Sequence, residues 1–333
     1  MASQISPNNL SNKKNLLDLS IVNKCTKKTL DKNKFKFLNR DFSELKDAEL
    51  CFPKNNYFTN FIRELKKNRL AMFSMISLII IIICSIFAFL SPYDPNKIDI
   101  SNRLSPPTFK NLFGTDELGR DYFTRILYGG RVSLTVGFLA MIMSTFIGTF
   151  VGTFSGFNGG ILDKIIMRSI DILMCIPTFF LMLIANAYLK PGLENIIIII
   201  GIFGWMGIAR IVRSETLSYK EREYVLAGKA MGGSNVHLIK KHILPNVLPT
   251  IIVISSINIA GAILTESSLS FLGLGVQAPT ASWGSMLQSA QNYLSRAPFL
   301  AIFPGMIILI TVLSFNILGD VLRTSMEPKI SRK

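Results

Sequence analysis

The chain has 333 residues, 49% of them hydrophobic and 17% charged, with a mean hydropathy of +0.40. A soluble domain carries about a quarter charged residues, and here the apolar residues gather in runs long enough at ~1.5 Å per residue to cross ~30 Å of hydrocarbon, so a wholly soluble protein is excluded. The net charge of +15 comes without zinc-finger spacing or basic–aromatic interleaving, and it matches the Lys and Arg enrichment of loops on the inner side of a membrane rather than nucleic-acid binding. The four cysteines, Cys25, Cys51, Cys84 and Cys175, form no CxxC pair and two sit inside apolar runs, which argues against a disulfide or zinc framework.

Residues 1–56 are rich in Lys, Asn and Ser and lack apolar periodicity. They predict a basic, poorly ordered extension, either a membrane-surface or regulatory tail or simply a solvated one. "NYFTNFIRELKKNRL" follows as an amphipathic lead-in, with Phe58, Phe61, Ile62 and Leu65 on one helical face and Lys66, Lys67 and Arg69 at its end. The first apolar run begins near Leu70, too far along for a cleaved signal peptide, and predicts an uncleaved span. Six spans are expected: Leu70–Leu90, Val132–Ser155, Ile170–Leu189, Ile196–Val212, Val247–Leu269 and Phe299–Val321. Turn chemistry separates them in "SPYDPN", "NGG", "KPGLEN" and "GLGVQAPTASWG". The expected division is therefore an extension over 1–56, a lead-in with the first span and an outer segment over 57–131, and a five-span core over 132–333.

Basic residues orient the spans. Lys66, Lys67 and Arg69 precede the first. Arg213, Lys220, Arg222, Lys229, Lys240 and Lys241 follow the fourth, and Arg323, Lys329, Arg332 and Lys333 close the chain. Six spans put all three groups on one side, so that side and both termini are expected to be cytoplasmic. The segment Ser91–Arg131 would then be external, its basic residues accompanied by Asp94, Asp99, Asp116, Glu117 and Asp121.

The cytoplasmic stretch "EREYVLAGKAMGGSNVHLIKKHILPN" is much longer than a turn requires. Ser218 and Glu221 have capping-box spacing, predicting a helix over Tyr219–Met231. Gly232 is placed for a left-handed stop. Ser234 can cap a second helix over Asn235–His242, with Lys240, Lys241 and His242 in its last turn, and Pro245 is expected to end it. The first helix presents Tyr224, Ala227, Gly228 and Met231 on one face; either a partner protein or the chain's own helices could cover it.

This stretch resembles the EAA loop of ABC-importer permeases. The three-residue core falls on Leu226–Ala227–Gly228, the following glycine on Gly232 and the terminal LP on Leu244–Pro245. Leu226 stands where the motif has glutamate; Glu223 is the nearest acid, one turn away. "FIRELKKNRLAMFSM", "SPYDPNKIDISNRLSPPTFKNLFGTDELGRDYFTRILYGGRVSL" and "LTESSLSFLGLGVQAPTASWGSML" narrow the resemblance to the C-type permease subunits of oligopeptide, dipeptide and nickel importers, from about residue 57 onward. The resemblance implies an all-α polytopic protein of the type I importer fold in a bacterial inner membrane. It implies a homologous B-type permease, two ATP-binding subunits and an external substrate-binding protein as partners. It also makes the loop, with Glu223, Tyr224, Ala227, Gly228, Met231, Gly232, Ser234, His242, Leu244 and Pro245, the element that seats in an ATPase groove. Peptide is the expected cargo, nickel or another small solute the alternative.

The chain has no G-x-x-x-x-G-K-[ST] phosphate loop, so ATP is expected to be used by partners, with no cofactor, metal or catalytic residue on this chain. An ion-coupled secondary transporter is the competing class; it would need paired charges within the spans, where only Glu266, Asp171, Arg210 and Asp320 qualify. Glu266 has two open readings, a residue of the transport pathway or a structural hydrogen bond. The outer stretch around Tyr122, Phe123 and Ile126 could form a surface helix that meets a binding protein or braces span two. Gly148, Gly152 and Gly156 repeat at intervals of four, the pattern of close helix crossing.

Overall fold

The computed structural model describes residues 57–189 and 192–326; the predicted extension over 1–56 lies outside them. The lead-in forms helix α1, Tyr57–Lys67, whose Phe61 and Leu65 pack on Ala71, Met75 and Val321. Asn68 caps α2, Arg69–Ile86, accepting hydrogen bonds from the Leu70 and Ala71 amides, and a 3-10 turn extends it over Phe87–Leu90. The remaining α-helices among the described residues are α3 (Tyr122–Asn158), α4 (Gly160–Met174), α5 (Thr178–Tyr188), α6 (Leu193–Lys220), α7 (Glu223–Ala230), the single turn α8 (Asn235–Leu238), α9 (Leu244–Phe271), α10 (Trp283–Ala290) and α11 (Phe299–Met326).

Among the described residues, five helices are long and apolar enough to cross a membrane, and α4 with α5 makes a sixth crossing if that bent pair is one span. The single span expected over Ile170–Leu189 is thus broken. Its halves meet at 79°, because Pro177 has no N–H for the ladder and disfavours helical geometry at Ile176. The Ile176 amide closes the first half on the Leu173 carbonyl, and the Phe180 amide opens the second on the Pro177 carbonyl.

Helix α3 is 37 residues long and starts ten residues before the predicted second span. Asp121 caps it, accepting from the Thr124 amide at 2.8 Å. The boundary drawn between residues 131 and 132 therefore falls inside one helix. Tyr122 and Ile126 are buried against Leu300 and Met286, and the Tyr122 hydroxyl donates to the Leu300 carbonyl at 2.5 Å. The outer stretch is a brace, continuous with the span, rather than a separate surface helix.

The glycine repeat lies where α3 crosses α6. A methyl added at Gly148 would sit 2.7 Å from Ile208 Cβ, and one at Gly156 2.9 Å from the Arg213 carbonyl. Only a bare backbone lets α3 and α6 approach this closely. At the same end Ser155 donates to Asp163 at 2.5 Å, and Arg213 grips Asp163 through Nε and Nη2 at 2.5 Å each. That bidentate pair ties α3, α4 and α6 together beside the long polar loop.

Candidate functional site

The loop begins later than its sequence suggests. Ser218 lies inside α6, which runs on to Lys220, so the Ser218–Glu221 capping box does not form. Thr216 is buried and Tyr219 packs on the core beneath the loop; both hold the chain helical through Ser218, whereas a cap needs non-helical backbone. The chain turns at Glu221 and Arg222, and α7 starts at Glu223 with Arg222 as its cap residue.

Gly232 behaves as expected. Its φ is +82°, a conformation open to glycine at little cost. The Gly232 amide bonds the Lys229 carbonyl at 3.0 Å and the Gly233 amide bonds the Gly228 carbonyl at 3.0 Å, the two bonds of a Schellman stop. Ser234 then caps the next turn, accepting from the His237 amide at 3.3 Å.

The second helix does not end at Pro245. A π turn over Ile239–Ile243 joins α8 to α9, with the Leu244 amide reaching back five residues to the Ile239 carbonyl, and Pro245 falls in the first turn of α9. Proline lacks only the amide that a helix start leaves unpaired, and the wide turn makes room for its ring. Lys240, Lys241 and His242 therefore sit in a junction. From Asn235 the loop and the fifth span form one continuous rod, 37 residues long to Phe271.

Val225, Leu238 and Ile243 anchor the loop, buried against Phe157, Val212 and Val247. Gly228 turns inward: a methyl there would lie 3.0 Å from Leu238 Cδ2, so its bare backbone lets the hairpin close. Glu223, Tyr224 and Ala227 are exposed, and Met231, beside the Gly-Gly turn, is 88% exposed. Leu226 and Val236 join them as exposed apolar side chains. Nothing local in the sequence singles out Val236, and Leu226 is visible there only as a departure from the motif. The Tyr224 ring lies 6.2 Å from that of His242, which lies 6.0 Å from His237. Of the remaining named residues, Leu244 is half-buried and Pro245 exposed. The result is an apolar knob on a buttressed base, rimmed by Glu223, Lys229, Lys240 and Lys241, a form suited to a groove in another protein.

Glu266 lies at the other end of α9 and is completely buried, 0% exposed. It accepts from Ser270 at 2.7 Å, Ser133 at 2.9 Å and Ser267 at 3.4 Å. Ser133 Oγ also accepts from the Trp283 amide at 3.2 Å, and the Trp283 indole donates to the Ile126 carbonyl at 3.1 Å. The carboxyl is thus the hub of a polar knot joining α3, α9 and α10. Nearby, Asp116 receives Arg120 at 2.6 Å and Arg125 at 3.4 Å, a buried charge cluster bracing the outer segment. Among the described residues, no group of three or more His, Cys, Asp or Glu side chains is placed to hold a metal ion.

Residues 148–332 match the family model described as binding-protein-dependent transport system inner membrane component. Residues 56–107 match the N-terminal TM domain of oligopeptide transport permease C. The chain is 39% identical over 296 residues to the dipeptide transport system permease protein DppC of Bacillus subtilis, covering 88% of this chain and 91% of that one. It is 40% identical over 288 residues to the oligopeptide transport system permease protein OppC of the same organism, covering 86% and 94%. It is also 40% identical over 272 residues to the glutathione transport system permease protein GsiD of Escherichia coli, covering 81% and 90%.

Proposed function

The chain belongs to the binding-protein-dependent ABC-importer permeases of the inner membrane, and from that premise we propose that it forms one half of a pathway carrying dipeptides or oligopeptides inward. The peptide cargo rests on relatives named for dipeptide, oligopeptide and glutathione transport. A homologous permease supplies the other half, two ATPase subunits dock on the loops, and an external binding protein delivers the cargo. The loop end of the bundle and both termini are cytoplasmic in this reading, in keeping with the Lys and Arg of residues 220–241.

The observation that carries the proposal is the continuity of loop and span. An ATPase gripping Tyr224, Leu226 and Met231 grips an element whose base is buried and whose second arm is the start of α9. Closure of the ATPases upon ATP would then displace a rod that ends in the Glu266 knot, repacking the bundle between two states. ATP selects one state because the docked surfaces differ between open and closed ATPases.

The test uses Ala227→Asp and Met231→Asp, two exposed positions where a charge leaves the fold intact. In the complete complex reconstituted in proteoliposomes, both variants insert normally but lose ATPase subunits on pull-down and lose ATP-driven peptide uptake by at least about tenfold, the equivalent of ~1.4 kcal/mol of docking energy. Full ATPase recovery and wild-type uptake in both would refute the docking role.

A further inference from the structure

Helix α4 is half of the broken span, yet it carries a polar stripe. Lys164, Arg168, Asp171 and Cys175 follow one another at spacings of four, three and four, which keeps them on one helical face, and all four are exposed. The adjoining exposed face, with Ile165 and Ile172, is apolar. Asp171 reaches across to α6, where Arg210 Nη2 donates to its Oδ1 at 2.7 Å. Ser214, one turn on from Arg210, is exposed as well.

Three surroundings could cover this face. Against lipid, an acidic or basic side chain costs about 2.5–3.5 kcal/mol even on the mildest scale. An ion pair with half-exposed side chains, 49% and 50% here, returns only about 0–1 kcal/mol. Burial against another protein would strip water from both ions, at several kcal/mol each. The backbone adds an independent constraint. Cys175, Ile176 and Pro177 interrupt the helical ladder at a 79° bend and are exposed, and interrupted backbone at membrane depth is tolerated only inside protein or beside water. Water satisfies both the charges and the break.

We propose that the stripe from Lys164 to Cys175, with Arg210 and Ser214 of α6, lines the water-filled lumen through which solute passes. The Asp171–Arg210 pair is a polar constriction in that lumen, where a zwitterionic solute can exchange its ammonium for Arg210 and its carboxylate for Asp171. This deepens the importer reading and rests on it for the identity of the solute, but the aqueous exposure of the face does not.

Cys175 is a built-in reporter. Thiolate, the reactive form, needs an aqueous or electropositive setting, and Cys84, exposed on α2 among Ile79, Ile80 and Ile83, provides a contrasting lipid-facing thiol. In the complete transporter purified from its native membrane, the C25S/C51S/C84S variant retains Cys175 alone and C25S/C51S/C175S retains Cys84 alone. A membrane-impermeant cationic methanethiosulfonate should modify Cys175 at least about tenfold faster than Cys84, and modification should block uptake. Asp171→Asn with Arg210→Gln should leave that labelling in place while changing the uptake rate. Reaction of Cys175 only with a lipid-soluble maleimide would overturn the proposal in favour of lipid. Reaction with neither reagent until the complex is dissociated would overturn it in favour of a protein interface. Labelling without ATP-driven peptide uptake would fail the importer reading alone; uptake without labelling would fail this inference alone.

Discussion

Glu266 offers the sharpest separation between a structural and a transport role. Glu266→Ala would remove the acceptor of three serine hydroxyls, two of them at 2.7 and 2.9 Å, in a site with no access to water. Leaving a buried hydroxyl unsatisfied costs about 1–3 kcal/mol, and the vacated volume adds a cavity term. Ser133 keeps the Trp283 amide and Ser270 keeps Ser282 at 3.4 Å, which reduces the total to roughly 2–4 kcal/mol. Glu266→Gln keeps one oxygen and the shape of the side chain; a serine hydroxyl can turn to accept from the new amide, so its cost is about 1 kcal/mol or less. Thermal unfolding of the purified complex in detergent reads the first quantity and peptide uptake in proteoliposomes the second. The expected result is a large fall in Tm for Ala, a small one for Gln, and Gln uptake within about twofold of the parent after correction for protein recovered. A Gln variant of near-native stability that fails to transport would show that the carboxylate itself takes part in translocation, and the structural argument would fall.

Two further outcomes follow from backbone approach and conformation. Gly152→Leu puts a side chain against the Ala209 carbonyl and Val212, so α3 and α6 must separate; loss of folded protein in size-exclusion of the detergent-solubilised chain is expected, while Gly207→Ala on α6, where a methyl meets nothing within 4 Å, should behave as the parent. Gly232→Val forces a β-branched residue to a φ of +82° at a cost of about 1–3 kcal/mol, and Gly232→Asn should recover most of it. Protease nicking of the loop in membrane vesicles would rank parent, Asn and Val in that order; equal rates would remove the Schellman stop from the account.

Hydropathy located the spans because lipid imposes it. Leu70–Leu90 and Phe299 as the start of the last span lie within a residue of the observed helices. It does not give the helix ends where a charged residue finds a partner. The apolar run of span four ends at Val212, yet Arg213 clasps Asp163 and α6 continues to Lys220. The break in span three was written in Pro177, but a continuous apolar run masked it. Within the loop, Gly232 and Ser234 were legible because turn and cap chemistry is local. The roles of Gly228 and Val225 were not, since both depend on Leu238 folding back across the hairpin. Nor could spacing show that Glu266 meets Ser133, 133 positions away. The motif fixed where the loop lies; packing decided which of its residues point outward.

The π turn at Ile239–Ile243 sets an angular phase. Each residue of an α-helix advances the side chains by about 100°, and the π turn holds one residue more than an α turn would. Everything on its loop side is therefore screwed round by roughly 100° relative to an uninterrupted rod. In that phase Leu238 lies beneath Gly228 and Val236 stands in the open. A homologous chain of the same length that ran through this junction as plain α-helix could keep the same span and the same loop residues yet aim the knob in another direction. The winding of this junction, as much as its composition, fixes the bearing on which a partner must approach.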